Sequence, residues 1–281
     1  MIKNKLKALG TVLISTIIMI ISFISFVIIA NYFKQNISKL AGNIIFLVFP
    51  IATYFGVKFF NNKVNNLNPE NYGFEFKKII KNSFLGISLA LFTITTAIIL
   101  INIFLDVEIN FSGLKDNFHK PLLSLVLTLI IVGVWEEFYF RGLVFNHLLK
   151  NNFNFHSSAL ISSILFSVVH WSSFDMTETS WLWYIGIVVI GYILVYIYTY
   201  TKSIWSVVSF HFLWNFMATL LDDKENKIGL IEIVNYKQNA IMIDNIMVIC
   251  LSSILLAILI FNTKKHHSNK IKSYINNIKN Y

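Results

Sequence analysis

Three groups of residues in this chain have types and spacings suited to chemistry. The first is WEEFYFRG, residues 135–142, which sets two adjacent carboxylates, Glu136 and Glu137, near the guanidinium of Arg141. It sits between the apolar runs PLLSLVLTLIIVGV and LVFNHLL. The second is FSVVHW, with Phe166 and His170 four apart, and the third is HFLWN, with His211 and Asn215 four apart. Residues four apart share a helix face. Glu137 and Arg141 therefore make a natural pair, and Glu136, rotated by about 100° from its neighbour, is left without that partner. Arg141 is the only arginine in the chain, so this position calls for a forked, permanently charged group. A buried ion pair that fixes helix packing accounts for Glu137 and Arg141. It does not account for Glu136, because two carboxylates sharing one arginine leave a buried charge uncompensated. Ionisable residues inside membrane segments usually face a cavity and mark function.

A glutamate and a histidine can together hold a water and remove its proton. A second histidine and an asparagine amide can donate hydrogen bonds to a developing oxyanion. Glu136, His170, His211 and Asn215 are thus the parts needed to hydrolyse a peptide bond without a serine or cysteine nucleophile. The same Glu136, His170 and His211 could instead hold zinc as two histidines and a carboxylate, although HExxH is absent. The bland alternative for a lone histidine in an apolar helix is a hydrogen-bonded packing residue. The only cysteine, Cys250, lies in an apolar segment, so an internal disulfide is excluded and a buried, inert thiol is expected.

The elements that position these groups are written in the composition. Of 281 residues, 56% are hydrophobic and 13% charged, against about 25% charged in soluble domains. That is a polytopic membrane protein, of a length suited to one bundle. The net charge of +9 does not signal nucleic acid, because the lysines cluster at the ends of apolar segments and form no basic face. A hydrocarbon core of about 30 Å needs roughly 20 apolar residues per helix. Eight spans are expected, at approximately 9–33, 40–60, 83–105, 121–145, 156–174, 181–200, 203–221 and 240–261. The first is too long for a signal-peptide core and is expected to be retained. Eight spans put both termini on one side. With them go Lys3, Lys5, Lys7, Lys58, Lys63, Lys77, Lys78, Lys81, Lys150, Lys202, Lys264, Lys265, Lys270, Lys272 and Lys279, fifteen in all. The other side holds seven: Lys34, Lys39, Lys115, Lys120, Lys224, Lys227 and Lys237. The richer side is expected to be cytoplasmic. Glu136 and Glu137 then lie roughly 23 Å from the outer edge of the fourth span, inside the membrane or at its inner shoulder. By the same rise, His211 comes about 12 Å and His170 about 20 Å from the inner edge, so tilt and uneven helix ends must bring them level.

These residues resemble a known family. EEFYFR fits the EExxxR motif of the CAAX-protease and bacteriocin-processing family of intramembrane proteases, called CPBP or Abi; FSVVH fits its FxxxH motif and HFLWN its HxxxN motif. The resemblance covers about 70–281 and extends to GYILVYIYTYTKSIWSVVSFHFLWN and YGFEFKKI. It implies an all-α bundle of eight transmembrane helices with an intramembrane cavity open to membrane and cytosol. The chain is then expected to divide into two N-terminal helices and a connection at 1–69, which match the family only in hydrophobicity, a protease core at 70–262 and a basic cytoplasmic tail at 263–281. By that resemblance Glu136 is the general base, His170 helps it bind water, and His211 with Asn215 forms the oxyanion site. Glu137, Arg141 and Phe166 support the architecture, and zinc is not committed to. The implied partners are the lipid bilayer and a peptide or membrane-protein substrate: a bacteriocin, a signalling peptide or a CAAX-type tail. Bacteriocin self-immunity is a second role the family offers. A scaffold that acts by binding alone and a small proton-coupled transporter are the competing classes; the lack of an internal repeat speaks against the transporter.

Other residues read as bland. His119, His266 and His267 are expected in solvated loops or tail, and His147 and His156 at the inner interface. Asp222, Asp223 and Glu225 read as a solvated outer face, Asp244 as a hydrated acid near a helix end, and Trp181 and Trp183 as an interface belt. Tyr72, Phe74 and Phe76, set among lysines, are expected to lie on the cytoplasmic membrane surface.

Overall fold

The computed structural model describes residues 2–37, 39–67, 72–74, 78–105, 107–110, 119–170, 181–221, 232–234, 236–263 and 265–280. The chain is an all-α polytopic membrane protein. Its helices are α1 (Ile2–Asn36), α2 (Lys39–Phe60), α3 (Ile79–Phe104), α4 (His119–Glu137), α5 (Asn146–Lys150), α6 (Phe155–Val168), α7 (Trp181–Thr201), α8 (Ile204–Leu221), α9 (Tyr236–Thr263) and α10 (Lys265–Asn280). Wider π-helical turns follow α2 at Asn61–Asn65 and join α4 to α5 at Phe138–Phe145. Among the described residues, six stretches are long and apolar enough to cross a membrane: Ile2–Asn36, Ile44–Asn65, Ile79–Phe104, Leu122–Lys150, Leu182–Thr201 and Ile241–Phe261. Two shorter apolar helices, Phe155–Val168 and Ile204–Leu220, lie where the other two spans are expected.

The apolar surface sorts the helices into an inner and an outer set. Only 17% of the apolar window of α1 is buried, against 56% for α7. The outward faces of α1, α2 and α3 carry bare Ile and Phe side chains, as a lipid solvent allows. The centre is the rod made by α4, its π-turn and α5, clasped by α6, α7 and α8. Every residue from 135 to 149 is buried.

The two ends of the bundle are built differently. At one end, the connections between helices are tied together by polar side chains. Asn61 Nδ2 donates to Gly142 O at 2.8 Å, and Asn65 Oδ1 meets His147 Nδ1 at 2.7 Å. Tyr198 Oη donates to Tyr72 O at 2.7 Å, and Ile204 N to Gly73 O at 3.0 Å. Gly73 has φ +80°, and a Cβ there would press on Tyr198 and on the backbone of 202 and 204. The tail returns to this same end. Helix α10 buries Ile271, Tyr274 and Ile278, and Tyr274 Oη donates to Asn146 Oδ1 at 2.7 Å. At the opposite end, the strands β1 (Ile109–Asn110) and β2 (Glu232–Ile233) pair antiparallel, Ile109 against Ile233.

Several expectations are corrected here. Tyr72 and Phe74 are core residues, not a membrane-surface strip; Phe74 stacks edge-on to Phe138 at 4.4 Å. His147 is buried and bonded to Asn65 instead of interfacial. The basic tail holds an amphipathic helix, docked through Ile271, Tyr274 and Ile278. Helix α6 ends at Val168, short of the expected 174, and a single 3₁₀ turn carries the chain to His170. His156 is exposed, with Nδ1 2.7 Å from Tyr192 Oη. Cys250 is buried, as expected. Phe76, SSFDMTETS, Asp222, Asp223 and Glu225 lie outside the described residues, as do the side chains of His119, Trp181, Asp244, His266 and His267.

Helices α3 and α8 touch backbone to backbone. A Cβ on Gly86 would overlap Ser206 O and Ser209 Oγ, and Ser209 Oγ donates to Ser83 O at 3.0 Å. Small residues at such crossings let membrane helices approach closely. Gly86→Ala is expected to destabilise the bundle by about 1–3 kcal/mol, since a backbone carbonyl cannot move aside as a side chain can. Thermal unfolding in detergent micelles reads this directly, and an unchanged midpoint would refute the tight crossing.

Candidate active site

The site begins where α4 widens. A π-turn adds a residue to the helical turn, and such turns gather at functional sites. The carbonyls it frees find side-chain donors: Gly142 O accepts from both Asn61 and Asn146, and Phe140 O from Ser162 Oγ at 3.0 Å. The widening begins directly after Glu137, and Arg141 reaches back across it.

Arg141 is held on three sides. Its Nη1 donates to Glu137 Oε1 at 2.8 Å, its Nη2 to Gly191 O at 3.1 Å, and its guanidinium carbon lies 4.5 Å from the centre of the Phe166 ring. Glu137 and Arg141 are 0% and 1% exposed, so each charge depends on the other. Glu137 Oε1 also meets His211 Nδ1 at 2.9 Å. The glutamate is therefore shared between an arginine and a histidine, a link that residue spacing alone does not reveal.

The two histidines have fixed ring orientations. His170 Nδ1 lies 2.6 Å from Phe166 O. A carbonyl only accepts, so that nitrogen carries the proton. A carboxylate bound to arginine likewise only accepts, so His211 Nδ1 carries a proton as well. In the neutral tautomers both Nε2 atoms are bare. They turn toward one atom, Glu136 Oε2, at 3.6 Å from His170 and 3.7 Å from His211. Both separations exceed a direct hydrogen bond, and Glu136 Oε2 is buried without a hydrogen-bond partner. The Phe166 ring spaces the group, with its centroid 4.6 Å from that of His170 and 5.6 Å from that of His211.

Glu136 and His170 line a cavity of about 500 Å³. Asn215 lines it too, one helical turn beyond His211. The other walls are Met19, Ile20, Phe23 and Ile24 of α1, Leu129, Val132 and Trp135 of α4, Val169, Trp183, Ala218 and Thr219. Trp183 is therefore a wall of the site, with its ring 6.4 Å from His170. Trp135 was not singled out from sequence. Its ring stacks on Phe23 at 5.0 Å and meets Phe49 edge-on at 5.2 Å, which seals the α1–α2 side. Its signal was adjacency to Glu136. The three candidate zinc ligands do come together, yet among the described residues no group of three His, Cys, Asp or Glu side chains is arranged to hold a metal ion.

Residues 118–217 match the family model described as type II CAAX prenyl endopeptidase Rce1-like. This segment belongs to the CAAX-protease, or CPBP, family. Comparison with the curated proteins gives no match. The CPBP segment runs from the start of α4 to the last turns of α8. It holds Glu136, Glu137, Arg141, Phe166, His170, His211 and Asn215. It is thus the part of the fold that builds the cavity floor, while α1, α2, α3, α9 and α10 surround it.

Proposed function

We propose that this chain is an intramembrane endopeptidase of the glutamate type. It would hydrolyse a peptide bond in a membrane-associated protein or peptide, such as a bacteriocin, a signalling peptide or a CAAX-type tail. The observation that carries this reading is the meeting of two histidine Nε2 atoms at one buried carboxylate oxygen on the floor of a cavity. The family match lends it the general activity.

In this reading Glu136 and His170 Nε2 accept hydrogen bonds from a water. The water oxygen attacks the scissile carbonyl carbon and its proton passes to Glu136. The carbonyl π-bond opens, and the oxyanion is met by Asn215 and His211. His211 donates from Nε2 as an imidazolium, and Glu137 at Nδ1 stabilises that charge. The C–N bond then breaks, and Glu136 returns the proton to the leaving amine. Phe166 and Arg141 position the two histidines and Glu137. No step passes through a metal. The lysine distribution supports termini in the cytoplasm of a multi-pass cell-membrane protein.

The test compares cells carrying wild type and Glu136→Gln at equal membrane levels, with new protein and peptide termini mapped in membranes and medium. Termini found only with the wild type would identify the substrate. An unchanged set, together with an unchanged phenotype, would overturn the enzyme and leave binding alone, as in a scaffold or self-immunity protein.

A further inference from the structure

The cavity and the chain termini lie at opposite ends of the bundle. At the end that holds the tail, polar ties gather the connections at 61–67, 72–74, 146–155 and 198–204. Lys202 Nζ reaches Ser273 there, Lys270 sits 4.1 Å from the centre of the Tyr200 ring, and Lys5 lies over Phe153. The cavity runs the other way from Glu136. Its walls include the C-terminal end of α6 at Val169, the first turn of α7 at Trp183 and the last turn of α8 at Ala218 and Thr219. That is the end of the β1–β2 ribbon. Toward the tail, the rod from 135 to 149 is buried at every residue, with Glu137, Arg141 and then the Asn61, Asn65, Asn146 and Tyr274 network filling the layer beneath the site.

The sequence sets fifteen of the twenty-two lysines on the side of the termini, and lysine-rich sides stay in the cytoplasm. We propose that the site is served from the extracytoplasmic side, so that its substrate is a segment of an exported protein or peptide. Resting on the endopeptidase reading, this narrows the substrate class and sets aside a tail that remains in the cytosol. The walls are Met, Ile, Phe and Trp around a polar floor. They suit a peptide with bulky apolar residues beside the cleaved bond.

The test is labelling by a membrane-impermeant maleimide. Cys250→Ala removes the native thiol, and single cysteines then replace Ala218 in the cavity wall and Asn277 on the exposed face of α10. The expected result is that Ala218→Cys reacts in intact cells while Asn277→Cys reacts only in inverted vesicles. The reverse pattern would overturn the extracytoplasmic assignment. Reaction of both from one side would overturn the opposed placement of cavity and tail. An Ala218→Cys thiol that reacts only after denaturation would overturn a water-reached cavity. Labelling does not depend on turnover, so the same pattern must survive Glu136→Gln. The endopeptidase reading fails separately, by unchanged termini, and outward labelling alone would then leave a pocket that binds exported ligands. With both holding, the termini lost in Glu136→Gln must map to exported segments; cytosolic ones would overturn the substrate class.

Discussion

Arg141→Met is expected to destabilise the folded bundle by about 3–5 kcal/mol, the range for stranding one partner of a buried ion pair. Glu137 would keep its charge with no guanidinium to balance it, in a position that is fully buried. Among the described residues, its one remaining polar contact would be His211 at 2.9 Å. Methionine matches the length and the apolar packing against Phe166 but supplies no donor to Gly191 O. The double variant Glu137→Gln/Arg141→Met removes both charges, and most of the lost stability should return, because a neutral buried pair carries no large desolvation penalty. Hydrolysis should not return with it. A glutamine can accept from His211 Nδ1, but it offers no anion to hold an imidazolium. Thermal unfolding in micelles alongside cleavage of a substrate found by terminus mapping separates the two effects. A double variant as unstable as Arg141→Met would show that the guanidinium supports something other than Glu137. A double variant that recovers full activity would remove Glu137 from the chemistry.

Glu136→Gln should do the opposite. The expected loss in kcat is about a hundred- to ten-thousand-fold, the usual worth of a positioned general base. Folding should be unharmed, and the unfolding midpoint should hold or rise, because Glu136 Oε2 is buried without a hydrogen-bond partner and the neutral amide relieves that burial. Glutamine keeps the shape and the contacts at 3.6 and 3.7 Å but cannot take a proton from water. His170→Gln should lose less, since it removes only the helper. Equal, near-complete activity in Glu136→Gln would end the glutamate mechanism outright.

Much of this site was legible in the chain before any fold was drawn. The four-residue spacing in EEFYFR gives the Glu137–Arg141 pair because both lie one helical turn apart. The single arginine was a correct pointer, since three different groups engage it. The same logic marked Glu136 as the carboxylate without that partner. What spacing could not reveal is contact between helices. The bond from His211 to Glu137 joins residues seventy-four apart, and only the packing of α8 on α4 creates it. Likewise, rise counting left Glu136 either inside the membrane or at its inner shoulder, because it treated the fourth span as ending near 145. The rod continues through the π-turn to Lys150, which leaves Glu136 midway between Leu122 and Lys150. The inward burial of Tyr72, Phe74 and the tail was hidden for a related reason. Aromatics among lysines read alike whether they face lipid headgroups or a neighbouring helix, and only tertiary partners such as Phe138 and Asn146 decide which.

The packed half of the bundle is also an electrical insulator. Voltage across a membrane falls where water does not reach, and residues 137–149, beneath the cavity floor, form a dry rod about 20 Å long. With solvent admitted to Glu136 from one end only, the membrane potential drops across that rod, at about 2.3 kcal/mol per charge for each 100 mV. The water to be split then stands at the potential of the compartment it came from. A protein built this way can keep a hydrolytic site wet at mid-membrane without opening a conductive path, and the cell's ion gradients survive its presence.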